Sequence, residues 1–467
     1  MCSSDTTDPN TSAAEPSLTT DHRPLATAER PLGVVTATLL VVASMIGTGI
    51  FTTTGFMVGD VPSLPAILLA WLLGGVGALL GALAYDELAA CLPRNGGEYH
   101  SLSRLFHSAI GFTSAWVSLI VGFCAPIAAT ALAFAKYLET VIPGGYGEPE
   151  ATSLLSRDSI TQGIAIALVL LLTFIHLLHV AHGSRFQNLF TVFKVTLLAA
   201  LIVAGISQGD WSRITDDTRP LGAAMLSPGF AIGLVYISYS YTGWNAAAYV
   251  AGEIREPRRN LPIALGLGTL IVTVLYLGLN VVYLTAVPAA ELAGQEAVAH
   301  TAMSGLFGAA AARWMSLLIA LGLVSMAGAL IMTGSRVYET VGQDFSQLHW
   351  FAARGSGGPK VALAVQAAVA IAMIVIGNLQ TLMTYVGFTL SLFSALTVAG
   401  LFVLRQRFPE DRAAFRMPGY PLTPLLFIAF TLWIVGMVVY QTPAVAVAGL
   451  GTMAVGTAVY WLLDRSN

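Results

Sequence analysis

The sequence predicts an all-helical integral membrane protein with twelve transmembrane helices, built as two inverted five-helix repeats in which helices one and six are broken. Three observations carry this reading. Of the 467 residues, 56% are hydrophobic and 10% charged, with a mean hydropathy of +0.74, whereas a soluble domain carries about 25% charged residues. Apolar runs of about 20 residues, the length that spans a bilayer, recur along the chain. Two of these runs are interrupted near their middles by glycine-containing stretches, Met45-Ile46-Gly47-Thr48-Gly49-Ile50-Phe51 and Ser238-Tyr239-Ser240-Tyr241-Thr242-Gly243-Trp244-Asn245.

Residues 1–30 are polar and rich in Ser, Thr and Pro, without the basic start and adjoining apolar stretch of a signal peptide, and read as a disordered cytoplasmic tail. The first repeat, 31–206, holds runs at 33–59, 64–90, 109–141, 160–180 and 186–206. The second, 226–405, holds runs at 227–251, 263–287, 313–340, 361–376 and 380–404, of which the ninth is short; the 288–310 stretch reads as a loop of ambiguous character. Two more runs, at 422–440 and 443–463, fill the closing segment 420–463. An even count puts both termini on one side. Arg94, Arg104, Arg185, Arg255, Arg258, Arg259, Arg336, Arg354, Lys360, Arg405, Arg407, Arg412 and Arg416 follow the even-numbered runs, against Arg157, Arg213, Arg219 and Arg313 on the opposite loops. The positive-inside rule therefore places both termini in the cytoplasm of a multi-pass protein of the cell membrane.

Lipid offers no hydrogen bonds, so unwound backbone at mid-membrane depth is tolerated only where it faces protein or a water-filled cavity. The glycines of the first break could serve close helix packing instead. The matching break five helices later, entering from the opposite side, favours a transporter site at a repeat interface.

Several segments resemble one known family. They are GTGIF in the first run, Pro93-Arg94-Asn95-Gly96-Gly97-Glu98-Tyr99 after the second, YTGWN with Gly252-Glu253-Ile254 and Pro257-Arg258-Arg259-Asn260-Leu261-Pro262 around the sixth, Gly334-Ser335-Arg336-Val337-Tyr338 ending the eighth, and Leu404-Arg405 with Phe415-Arg416-Met417-Pro418-Gly419-Tyr420-Pro421 after the tenth. Taken in order they are similar to the amino acid–polyamine–organocation (APC) superfamily, especially bacterial amino acid permeases and L-type amino acid transporters. The resemblance covers nearly the whole chain after residue 31 and implies the LeuT-like five-plus-five inverted repeat with two extra helices.

The breaks have a chemistry of their own. N–H groups near Gly47, Thr48, Gly49 and Ile50 begin a half-helix, whose positive dipole end favours a carboxylate. Carbonyls around Tyr239, Ser240 and Tyr241 end a half-helix and suit an ammonium group, so together the breaks match an amino acid zwitterion. The resemblance adds Ser44 and Ile46 as nearby hydroxyl or carbonyl contributors and makes Tyr239 an aromatic gate over the substrate; a core or interfacial tyrosine is the plainer alternative. Mid-run position adds Gly243, Trp244, Asn245, Gly122, Ala125, Ser325 and Met326 as pocket candidates, with Trp244 equally suited to helix packing. Runs three, six and eight contain no Asp or Glu deep within them. That favours neutral amino acids over cationic ones or polyamines.

Lys194 is an isolated charge about 12 Å from the cytoplasmic end of the fifth run at the helical rise. An inward, functional position is the expectation, and snorkelling toward a thinned bilayer the alternative. The resemblance implies that it replaces a cation of sodium-coupled relatives by tethering the first break to run eight, with Ser325 as a partner. Transport should then be independent of sodium, running by exchange or with protons. His176, His179 and His182 have metal-like spacing but no accompanying acid or cysteine and read as interfacial. Asp86, Glu87 and Glu253 should pair with loop arginines. Cys2, Cys91 and Cys124 are scattered, so no disulfide frame or metal knuckle is expected. No cofactor is expected and no nucleic-acid partner; the partners are an amino acid and membrane lipid. Some L-type relatives are disulfide-linked to an accessory subunit, but the loop after the third run lacks a cysteine, so none is expected. No nucleophile–base pair or paired acids lie in the runs as an enzyme would need. A non-transporting sensor on this scaffold stays open.

Overall fold

In the computed structural model, which describes residues 32–92, 97–142, 145–146, 156–178, 184–352, 360–407 and 415–464, the first apolar run is two helices. They are α1 (Val34–Met45) and α2 (Thr48–Asp60), separated at Ile46 and Gly47. The 1–30 tail, Pro93 to Gly96, His179 and His182 lie outside the described residues. α3 (Leu64–Cys91) is followed by a short amphipathic helix, α4 (Glu98–Leu105). The third run is one rod in which α5 (Ser108–Val117) passes through a π-helical stretch, Ser118–Cys124, into α6 (Ala125–Val141). α7 (Arg157–Leu178) and α8 (Ser184–Gln208) follow, then two single-turn helices, α9 (Ser212–Thr215) and α10 (Leu221–Met225).

The sixth run is also broken. α11 (Pro228–Ser240) ends in turns over 241–245 before the single turn α12 (Ala246–Tyr249) and a 3-10 turn, Ala251–Glu253. α13 (Pro257–Ala286), α14 (Ala289–Leu292), α15 (Val298–Asp344), α16 (Lys360–Ile376), α17 (Leu379–Arg407), α18 (Leu422–Gln441) and α19 (Pro443–Asp464) complete the chain. Among the described residues there are no strands, and Leu32 and Ile254 form an isolated bridge.

Among the described residues ten stretches are long and apolar enough to cross a membrane; α16 is apolar but has 17 residues, and the broken sixth run is counted in neither set. The 288–310 stretch is partly helical, because α15 begins at Val298. Gly308, at φ +82° and ψ 170°, bends the chain there in a conformation open to glycine.

Burial orders the helices from the inside out. The most apolar windows of Val34–Asp60 and Ser108–Val141 are 67% and 78% buried, against 22% for both α8 and α19. The first break is therefore at the centre, with α2 against α11 and α6 against α15. The outer helices present Leu170, Leu171 and Phe174 on α7, Val203 on α8 and Leu462 on α19 outward, an apolar surface suited to lipid.

At the end of the bundle that carries the basic residues, Arg405 grips Glu87 with both arms of its guanidinium at 2.7 Å. The same carboxylate accepts from Met417 N at 2.7 Å, and Arg405 lies 3.8 Å over the Tyr420 ring. This knot joins α3, α17 and the segment entering α18. Asp86, beside it in sequence, is buried with no hydrogen-bond partner among the described residues.

Candidate functional site

The two breaks interlock. A Cβ on Gly49 would fall 2.3 Å from Ser240 Oγ and 2.5 Å from Ser240 Cα, and one on Gly243 would fall 2.6 Å from the Ser44 carbonyl oxygen. Gly243 also has φ +97°, which L side chains resist. Each break thus uses a glycine to admit the backbone of the other, and Thr53 Oγ1 and Ser240 Oγ share a hydrogen bond of 2.8 Å across the seam.

α2 starts inside this junction. The N–H groups of Thr48, Gly49 and Ile50 have no partner in the described hydrogen bonds, as the first turn of a helix requires. They form the positive end of the α2 dipole. On the acceptor side most carbonyls are engaged. Lys194 Nζ donates to Ile46 O at 3.2 Å, and Tyr276 Oη lies 2.6 Å from Met45 O and 3.1 Å from Ser240 O. Thr242 donates to Tyr239 O through its N–H at 2.9 Å and its hydroxyl at 2.6 Å. Of the three span-six carbonyls suited to an ammonium group, Tyr241 O is the one with no partner in the described hydrogen bonds.

Apart from Lys194, the side chains named at the junction are neutral. Thr48 Oγ1 donates to Thr130 Oγ1 at 3.2 Å, Thr130 Oγ1 reaches Met326 Sδ at 3.8 Å, and Met326 fills the space beside Gly47. Tyr239 is buried, and its hydroxyl has no hydrogen-bond partner among the described residues.

The side chains of other residues expected here face elsewhere. Tyr241 Oη donates to Trp71 O at 3.1 Å, with its ring against Trp71 and Tyr276. Trp244 packs edge-on to Tyr85 with centroids 4.7 Å apart and lies near Phe427, the packing role. Asn245 Nδ2 donates to Glu98 Oε1 at 3.3 Å. Ser44 Oγ donates to Leu40 O of its own helix, leaving its carbonyl against Gly243. On α15, Gly322 lies beside the Lys194 stem, where a Cβ would be 3.9 Å from Lys194 Cε; among the described residues no hydrogen bond joins Lys194 to Ser325. His176 Nδ1 lies 2.7 Å from Leu172 O, the preceding turn of its own helix.

Three residues at or beside the breaks escaped the sequence reading: Tyr276, Thr130 and Glu98. A tyrosine and a threonine mid-way along apolar helices were the available signals. Glu98 stands in the loop motif but is buried at the start of α4, where it accepts from Tyr85 Oη at 2.5 Å. Burial pushes its carboxyl up to about 7, against the opposing hydrogen bonds from Tyr85 and Asn245.

Known proteins match this sequence over most of its length. A family model described as amino acid permease covers residues 32–462. The large neutral amino acids transporter small subunit 2 of Homo sapiens is 30% identical over 446 residues, which are 92% of this chain and 79% of that protein. The b(0,+)-type amino acid transporter 1 of Mus musculus is 28% identical over 418 residues, covering 88% and 83%. The serine/threonine exchanger SteT of Bacillus subtilis (strain 168) is 27% identical over 410 residues, covering 86% and 90%. These names describe transporters rather than enzymes. The chain belongs to the amino acid permease family of the APC superfamily.

Proposed function

We propose that this protein is a secondary transporter that moves neutral L-amino acids across the cell membrane by alternating access, without sodium, as an exchanger or with proton coupling. The observation that carries the reading is the set of three uncommitted N–H groups of Thr48, Gly49 and Ile50 at the start of a buried half-helix. Such a start binds carboxylates, and Tyr241 O supplies an acceptor for the ammonium group. The surrounding Thr48, Thr53, Thr130, Ser240 and Met326 carry no charge, which suits a neutral side chain. Two relatives are named for neutral amino acids and for serine and threonine.

In this reading residues 31–206 and 226–405 are the inverted repeats, Tyr239 gates the substrate, and both termini and the Glu87–Arg405 end are cytoplasmic. Lys194 takes the place of a sodium ion by holding Ile46 O. The relative named a small subunit raises the question of an accessory chain; residues 142–159 contain no cysteine for a disulfide link, and the reading has none.

The test is uptake of labelled L-alanine, L-serine and L-leucine into proteoliposomes of the purified chain, with and without internal amino acid, sodium and a pH gradient. Flux that internal amino acid accelerates and sodium leaves unchanged supports exchange. Binding without flux would identify a sensor, and preference for arginine or putrescine a cationic or polyamine carrier.

A further inference from the structure

Glu98 begins α4, yet its carboxylate is turned inward and is 3% exposed. Gly97, at φ +52°, makes this possible: a Cβ there would strike the Tyr249 ring at 2.8 Å, so the chain enters α4 pressed against the residue that ends α12. The carboxylate then holds two elements at once. Tyr85 Oη on α3 donates to Oε1 at 2.5 Å, and Asn245 Nδ2, in the turns of the span-six break, donates to the same oxygen at 3.3 Å. Tyr85 in turn carries Trp244 against its ring.

We propose that Glu98 is a proton-operated latch on the arm of the sixth run that follows the break: as a carboxylate it binds this arm to α3 and α4, and when protonated it releases it. The proposal rests on the transport reading and names the group through which protons act on it. A carboxylate accepts charge-assisted hydrogen bonds, roughly twice as strong as neutral ones; adding a proton converts them to neutral bonds and turns one oxygen into a donor. A proton on Oε1 displaces Tyr85 Oη and Asn245 Nδ2 from that oxygen, and a proton on Oε2 leaves them only a neutral acceptor.

The surroundings leave the titration to Glu98. The titratable groups facing it are the phenols of Tyr85 and Tyr249, and no ion pair to it exists among the described residues. On α17, which packs on α4, Arg405 is held by Glu87 and Arg407 donates to Leu105 O. Asp86 is buried on α3, and His100 and Arg104 lie further along α4. A small cleft lined by Leu92, Gly97, Ser101, Ala248 and Thr397 lies beside Tyr85, the hydrogen-bond partner of Glu98. The carboxyl, pushed up to about 7 by burial, changes charge within the physiological range.

The experiment is exchange of labelled L-alanine in proteoliposomes of the full chain, with equal pH inside and out, stepped from 5.5 to 8.5. Expected for the wild type is a rate that rises roughly fivefold as pH falls through about 7, the order set by exchanging charge-assisted for neutral hydrogen bonds. Glu98→Gln should run at the acid-plateau rate at every pH. Tyr85→Phe, which removes a donor to the carboxylate, should shift the midpoint to higher pH, a change that a merely structural tyrosine would not produce. A wild-type rate flat across this window overturns the latch, even if the glutamine variant fails to fold, and so does a glutamine variant that keeps the wild-type profile. Absence of flux at every pH overturns the transport reading and the latch with it.

Discussion

Tyr276 Oη stands 2.6 Å from the Met45 carbonyl oxygen, so a side chain of α13 caps the end of α1 where the first break begins. The same hydroxyl is 3.1 Å from Ser240 O, at the end of α11. One proton thus serves two interrupted helices whose last carbonyls have lost their own partners. Tyr276→Phe keeps the ring's packing on Trp71 and Tyr241 and removes the donor. Leaving a buried acceptor unmet costs about 1–3 kcal/mol, and the expected result is a lower thermal midpoint with impaired exchange. A phenylalanine variant as stable and as active as the wild type would show that water caps these carbonyls equally well.

Lys194 serves the other side of the same break. Its hydrogen bond to Ile46 O is the donor a bound cation would otherwise replace. Lys194→Ala leaves that carbonyl unmet, at about 1–3 kcal/mol, or roughly a five- to 150-fold loss if all of it appears in one equilibrium. Exchange by this variant should fall accordingly, and wild-type exchange should be indifferent to replacing sodium with choline. Sodium-stimulated flux together with an active alanine variant would sink the tethering role.

Ten of the apolar runs were legible as helices long enough to cross, because lipid forces a length and a hydropathy on every crossing, whereas α16 stops at 17 residues and α15 begins at Val298, well before the run expected from 313. Both breaks were legible because glycine beside polar residues at mid-membrane depth has few other uses. The partners of the freed carbonyls were not. Tyr276 and Thr130 lie on helices distant in sequence, and no local pattern announces that a mid-helix hydroxyl points at another helix's end. Local reading also places Trp244 and Asn245 in the pocket, whereas the turns after Ser240 carry their side chains toward Tyr85 and Glu98; Tyr241, read through its carbonyl, packs its ring on Trp71. Gly322 lies beside the Lys194 stem, on the same face of α15 as Ser325 three residues later.

The Glu87–Arg405 pair gives a prediction about the scaffold. Glu87 is nearly buried and engages Arg405 and Met417 N together. Removing one member of such a pair leaves a charge without its partner, which costs about 3–5 kcal/mol where the pair is fully buried, and less here because the Arg405 side chain is 24% exposed. Arg405→Met should lower the thermal midpoint in detergent markedly, while the double variant Glu87→Gln with Arg405→Met should recover part of the loss. Equal destabilisation by the single and double variants would mean that packing on Tyr420, rather than charge, is what Arg405 contributes.

The closest approach of the two breaks gives the sharpest test of the site. At Gly49 the nearest atoms to an added Cβ include Ser240 Cα at 2.5 Å, which is backbone and cannot swing aside as a flexible side-chain tip would. Gly49→Val must therefore push α2 and α11 apart and displace the N–H groups proposed to hold the carboxylate. At Gly436 on α18 an added Cβ meets nothing within 4 Å, and alanine there should leave uptake unchanged, helped by a helix preference of about 0.5–1 kcal/mol over glycine. The expected pattern is loss of both substrate binding and L-alanine uptake in Gly49→Val, with membrane insertion retained, against near-normal uptake in Gly436→Ala. Polyamines and amino acid amides, which lack the free carboxylate, should compete poorly with the wild type for the same reason. Uptake near the wild-type level by a well-expressed Gly49→Val protein would move the substrate site away from the seam between α2 and α11.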